Sequence, residues 1–200
     1  GKAIALIGKA EVRHWTFFYA RGTCYERLKK LPQAEADLVR ALQLSADQPL
    51  VLNYLGYTWI DHNRNLQKGL KMIEKAVRLK PDDGYIVDSL GWAHYRLGNF
   101  DSAVKYLEQA VVLRPEDPTL NDHLGDAYWR VGREREARFQ WDQALKLNPE
   151  PAEAEKMRQK LAKGLPVALP RQVKRGKVVR SEVRGKGSGR RNVEHLLALT

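Results

Sequence analysis

Two hundred residues with 43% hydrophobic content are enough to bury a substantial core, and the single cysteine, Cys24, leaves no intrachain disulfide and no cysteine-based zinc cluster. No stretch approaches the roughly 18 apolar residues of a membrane-spanning helix, and residues 1–8 are too short an apolar run for a secretory signal. The formal charge of +11 is unevenly spread: residues 166–200 hold nine Lys and Arg against two acids, a surplus of +7, so the preceding 165 residues carry only +4.

The sequence repeats itself. Leu55-Gly56-Tyr57, Leu90-Gly91-Trp92 and Leu124-Gly125-Asp126 recur at spacings of 35 and 34. Glu74-Lys75-Ala76-Val77, Glu108-Gln109-Ala110-Val111 and Asp142-Gln143-Ala144-Leu145 recur at 34 and 34. A period of this length signals stacked units, none of which can bury its apolar face alone. A more divergent copy comes first, with Gly22, Ala34 and Ala41 in the matching places. The pattern resembles the tetratricopeptide repeat family, whose unit of about 34 residues has small residues at positions 8, 20 and 27, an aromatic at 11 and proline at 32. Position 8 is Gly22, Gly56, Gly91 and Gly125; position 20 is Ala34, Gly69, Ala103 and Ala137; position 27 is Ala41, Ala76, Ala110 and Ala144. Position 11 is Tyr25, Trp59, His94 and Tyr128, and position 32 is Ala46, Pro81, Pro115 and Pro149. The resemblance implies an all-α, right-handed α-α superhelical solenoid of four hairpins with a C-terminal capping helix.

In chain order, residues 1–14 read as the end of a preceding second helix, as in a C-terminal fragment of a longer bacterial-type protein. The four units then run 15–48, 49–83, 84–117 and 118–151. In the first, Arg21 stands where leucine is usual and Ala46 where proline is usual, so looser stacking is expected near the N-terminus. The second has one extra residue in its internal turn, Asp61-His62-Asn63-Arg64-Asn65. In the third, Gly91 facing Ala103 is expected to let the two helices approach closely, with Leu90, Leu107, Val111 and Leu113 filling the space between hairpins. Residues 152–164 read as the capping helix: Pro151 at its start, apolar residues at 154, 157 and 161, and Gly164 to stop it. Residues 165–200 are basic, with interspersed glycine and serine, and are expected to be a disordered tail ending in a short amphipathic stretch, Val193–Leu199.

No residue type stands in a catalytic pattern. Cys24 falls at repeat position 10, equivalent to Thr58, Ala93 and Ala127, and reads as a small packed residue rather than a nucleophile. His14, His62, His94, His123 and His195 lack the spacing of a metal site. The glycines of Lys186-Gly187-Ser188-Gly189 follow no strand and make no phosphate loop. The expectation is a non-enzyme with no cofactor and no metal, and a cytoplasmic location.

In the family, positions 2, 5, 9, 12 and 13 of each first helix line a concave groove. Carried onto this sequence, that gives Asn53, Tyr57, Ile60 and Asp61; Tyr85, Asp88, Trp92, Tyr95 and Arg96; and Thr119, Asp122, Asp126, Trp129 and Arg130. Trp92 and Trp129 read as exposed anchors, the alternative being that they pack on adjacent hairpins. Asp61, Asp88, Asp122 and Asp126 would make this surface acidic, which suits a basic or amine-bearing ligand. The chaperone-tail carboxylate clamp found in part of the family needs cations that Tyr19, Thr23, Tyr54, Tyr85 and Ser89 do not supply. The expected function is a protein-interaction scaffold that holds a peptide or partner helix. Two alternatives stand beside it: a nucleic acid or anionic surface bound by the basic tail, and a targeting arm for an enzyme outside this segment. The tail could also fold back onto the groove.

Overall fold

The computed structural model describes residues 10–166. Most of residues 1–14, and residues 167–200 of the basic tail, lie outside the described residues, and so do the expectations that rest on them. A 3-10 turn at Val12–His14 leads into α1 (Trp15–Arg27) and α2 (Leu31–Leu44). These are followed by α3 (Pro49–Asp61), α4 (Leu66–Leu79), α5 (Gly84–Leu97), α6 (Phe100–Leu113), α7 (Pro118–Arg130), α8 (Glu134–Lys146) and α9 (Pro151–Lys163). Among the described residues there is no strand, and no helix is long and apolar enough to cross a membrane.

The helices pack as antiparallel pairs, α1 on α2, α3 on α4, α5 on α6 and α7 on α8. Each second helix also touches the first helix of the next pair, and α9 lies on α8. One steric device repeats in all four pairs. Gly22, Gly56, Gly91 and Gly125 stand against Leu38, Ile73, Leu107 and Trp141, each fully shielded from water. A Cβ at these glycines would lie 3.0, 2.8, 2.6 and 2.5 Å from the nearest atom of those side chains, so a larger residue would force the facing side chain to shift. In the first, second and fourth pairs the carbonyl of Ala34, Gly69 or Ala137, the residue at the place of Ala103, also lies within 3.3 Å of that Cβ. The three atoms nearest a Gly91 Cβ all belong to Leu107, because the side chain one turn further along α6 reaches into the notch. Ala34, Ala41, Ala76, Ala103, Ala110, Ala137 and Ala144 are all wholly buried, as close helix approach requires.

Departures from the repeat are absorbed locally. Arg21 makes a two-pronged ion pair with buried Asp37, Nε to Oδ2 at 2.6 Å and Nη2 to Oδ1 at 2.7 Å. A charge where leucine is usual is thereby neutralised across the α1–α2 seam. The extra residue between α3 and α4 is taken up by Asn63 and Asn65, both in the left-handed region with φ of 53° and 44°, a conformation asparagine tolerates well. Asp83 and Asp117 cap α5 and α7, each accepting from two backbone N–H groups. Leu113, expected between hairpins, is 38% exposed instead, at the last position of α6.

Candidate functional site

Among the first helices, α3 touches α5 and α5 touches α7. A concavity of about 320 Å³ opens across them. Its lining comes from Asn53, Tyr54 and Tyr57 on α3, Tyr85, Asp88 and Ser89 on α5, and Thr119, Leu120 and His123 on α7, with Asp117 at the rim. Of the sequence-predicted groove, Asn53, Tyr57 and Asp88 meet here, together with Tyr85 and Thr119. Tyr54, Ser89 and His123 are additions. All three sit at repeat position 6, one residue after the predicted position 5, and the helices converge enough that both positions face the hollow. Tyr85 is 51% exposed, with the Arg114 guanidinium 5.2 Å from its ring centroid. Tyr57 is mostly covered, and burial pushes its phenol up to about 12, with Asp61 and Asp88 adding to the shift. Asp61 lines a smaller hollow of about 110 Å³ with Glu26, Tyr54, Tyr57, Thr58 and His62.

The expected acidic surface needs correction, because each of the four aspartates already has a partner. Asp61 accepts from Arg96 at 2.7 Å. Asp88, 6% exposed, faces His123 Nδ1 with both oxygens, at 3.0 and 3.1 Å. Asp122 and Asp126 both accept from Lys160 of α9, with Asp122 at 2.7 and 2.8 Å and Asp126 Oδ2 at 2.9 Å. Asp126 also takes the indole N–H of Trp141 at 2.9 Å. Buried carboxylates require such partners, since an unpaired charge in a low-dielectric site is costly. Burial pulls the His123 imidazole down, but Asp88 foremost, with Asp122 and Asp126, outweighs it and holds the ring above its ordinary value. Burial likewise works against the Lys160 ammonium, and Asp126 and Asp122 more than restore it. Two carboxylates share that one ammonium, so burial pushes up the carboxyl of the deeper one, Asp126.

The aromatic anchors divide. Trp92 is half-buried in a stack between Tyr95, at 4.7 Å and 7°, and His123, at 4.1 Å and 16°. It therefore bridges α5 and α7. Trp129 packs against Trp141 at 5.5 Å, and a Cβ at Gly164 would fall on its ring. Arg130 donates to the Tyr95 hydroxyl at 3.2 Å and to the Pro166 carbonyl at 2.6 Å. Trp129 and Arg130 thus meet the chain leaving α9 rather than an open hollow. Ile60 is 1% exposed and belongs to the core with Ile73, Leu90 and Ala93, since Gly69 leaves room for it at 3.0 Å. Cys24 is exposed rather than packed.

Comparison with known proteins agrees with this geometry. A family model described as TPR repeat matches residues 91–132. The TPR repeat-containing protein PA4667 of Pseudomonas aeruginosa is 38% identical over 85 residues, a match that takes in 42% of this chain and only 14% of that protein. Among solved structures, MamA 41-end from Desulfovibrio magneticus RS-1 superposes with a TM-score of 0.58 at 20% identity, covering 65% of this chain and 73% of that one. MamA AMB-1 superposes with a TM-score of 0.53 at 23% identity, covering 69% and 76%; both are likenesses of fold. Its repeated glycine notches and paired helices thus go with a TPR repeat match over residues 91–132 and the fold of TPR-like helical arrays.

Proposed function

We propose that the array is a non-catalytic interaction scaffold that holds an extended peptide or a partner helix against α3, α5 and α7. The observation that carries this reading is the concavity of about 320 Å³, whose walls come from three successive repeats. A ligand laid across it would touch side chains one repeat apart, so an elongated polypeptide fits better than a compact small molecule. Its lining mixes tyrosine rings with hydrogen-bonding groups and includes Asp88 and Asp117 but neither Lys nor Arg. That balance favours a ligand that donates hydrogen bonds or carries positive charge. The repeats 15–48, 49–83, 84–117 and 118–151 and the capping segment 152–164 are the units of this scaffold. The groove residues are Asn53, Tyr57 and Asp88, with Tyr85, Thr119 and His123; Trp92 supports His123 by stacking on it.

The test is capture of a partner by the whole chain, followed by affinity measurement with two variants. Tyr85→Ala removes an exposed ring at the groove wall and should weaken binding about tenfold, as loss of an aromatic anchor does. Val112→Ala removes an 80% exposed side chain on α6, away from the groove lining, and should leave affinity unchanged. Equal affinity for wild type and Tyr85→Ala, or loss with Val112→Ala instead, would move the binding surface elsewhere.

A further inference from the structure

Repeat position 5 of three successive units carries a hydrogen-bond acceptor: Asn53, Asp88 and Asp122. Two of these acceptors are filled by a nitrogen donor from further along the chain. Asp88 faces His123, 35 residues on, and Asp122 takes the Lys160 ammonium, 38 residues on. The third has no such donor. Asn53 Oδ1 is shut off from solvent, and no group of the described chain donates to it. The equivalent of His123 one repeat earlier is Ser89, whose hydroxyl donates back along its own helix to the Tyr85 carbonyl at 2.9 Å. An unpaired buried acceptor is costly to a fold, and this one belongs to a residue that lines the open concavity.

We propose that Asn53 takes its missing donor from the bound partner, and that this donor is the ammonium of a lysine side chain entering the concavity between Tyr57 and Tyr85. This rests on the groove reading above and names the chemistry that the groove selects. Lys160 shows what the filled position looks like: an ammonium lying between acceptors of successive turns of a first helix, at 2.7–2.9 Å. The Asn53 end has room for a guest where the Asp122 end has a resident. The terminal torsion of asparagine is broad, so rotation about it can bring the shielded carbonyl to face the hollow that Asn53 lines. Asp88 lines the same hollow, and once His123 is deprotonated its charge makes an ammonium preferable to a neutral amide.

The experiment uses the full chain and two acetylated, amidated peptides, one alternating glycine with lysine, the other with glutamine in place of lysine. Affinity is read by nitrogen-15 NMR at fixed salt for wild type, Asn53→Asp and Asn53→Leu. The lysine peptide should bind wild type more tightly than the glutamine peptide. Asn53→Asp, whose two oxygens need no rotation, should widen that preference about tenfold, as expected for a charge-assisted hydrogen bond. Asn53→Leu should abolish it and, by removing an unpaired acceptor, should also raise the melting temperature. A lower melting temperature for Asn53→Leu would mean that Oδ1 has a donor within the chain, which overturns the proposal. So would equal binding of the two peptides in all three forms, or no binding of either. If both peptides still shift the resonances of Tyr57 and Thr119, the groove reading survives while the role of Asn53 falls. If neither does, and Tyr85→Ala leaves captured-partner affinity intact, both fall.

Discussion

The two ends of the groove are built from the same repeat positions and have opposite characters. Towards α9 the row of first helices is filled: Lys160 sits between Asp122 and Asp126, Trp129 is covered by the turn at Gly164, and Arg130 is tied to Tyr95 and Pro166. Towards α3 the equivalent space is a hollow of about 320 Å³, and one acceptor in its wall is unpaired. The first end spends its polar groups on the chain's own last helix and so stabilises the array. The second keeps them for something else. A solenoid needs its terminal unit sealed, and here the seal uses ionic chemistry as well as apolar contact, since α9 buries only Ala154 and Met157 fully.

The largest expected effect comes from breaking the seal. Lys160→Met keeps the length of the side chain and removes the ammonium, leaving Asp122 and Asp126 beside each other with the Trp141 indole as the remaining donor among their contacts. Removing one partner of a buried ion cluster typically costs about 3 kcal/mol or more. Thermal unfolding of the full chain should show that loss at neutral pH. It should shrink in acid, where the Asp126 carboxyl, pushed up by burial, protonates and no longer needs the cation. A variant as stable as the parent at neutral pH would show that the seal is apolar and that the contrast between the ends is only one of shape.

A smaller effect is expected midway, where the two ends join. Gly91→Ala places a methyl 2.6 Å from Leu107 Cγ and 3.1 Å from the Leu107 backbone nitrogen. Overpacking of this kind costs roughly 1–3 kcal/mol, and a chemical-denaturation midpoint would measure it. The same substitution at Gly98, where nothing lies within 4 Å of a Cβ but φ is +80°, tests conformation rather than packing. It should cost only about 1 kcal/mol. Equal costs at the two sites would deny the notch its special role.

These contrasts were unevenly legible in the sequence. The glycine and alanine spacings predicted paired helices because close approach tolerates only small residues, and that constraint is local and periodic. The Lys160 seal was also periodic, since Lys160 lies 34 residues beyond Asp126; extending the repeat register into the capping helix would have found it. Other features had no periodic signal. Arg21 and Asp37 compensate each other across one hairpin, and Trp141 fills a place held by Leu38, Ile73 and Leu107 elsewhere. In both, one unusual residue is explained only by its spatial neighbour. Burial was misjudged for Asp88 and Asp126 because a groove position says which way a side chain faces, not whether the next repeat covers it.

The smallest expected effect separates the ends by pH. His123 is held above its ordinary value in the folded chain, chiefly by Asp88 acting against burial. A histidine raised in this way contributes stability that is complete below its unfolded value of about 6.5 and is lost as pH rises through the folded value. His94 has the opposite sign: burial beside Tyr106 lowers it, so its contribution is complete above about 6.5 and declines below. Stability should therefore pass through a maximum near the ordinary histidine value and fall on the alkaline side because of His123. His123→Gln should flatten that alkaline limb and leave the acid limb in place, with the shape of the curve as the readout rather than its height, since the substitution also disturbs the stack on Trp92. An alkaline limb unchanged in His123→Gln would place the titrating group elsewhere, and the open end of the groove would then carry no pH-sensitive charge. If the limb does flatten, deprotonation leaves Asp88 without a cation beside the hollow. The same pH window should then strengthen binding of the lysine peptide while the sealed end at Lys160 stays unchanged.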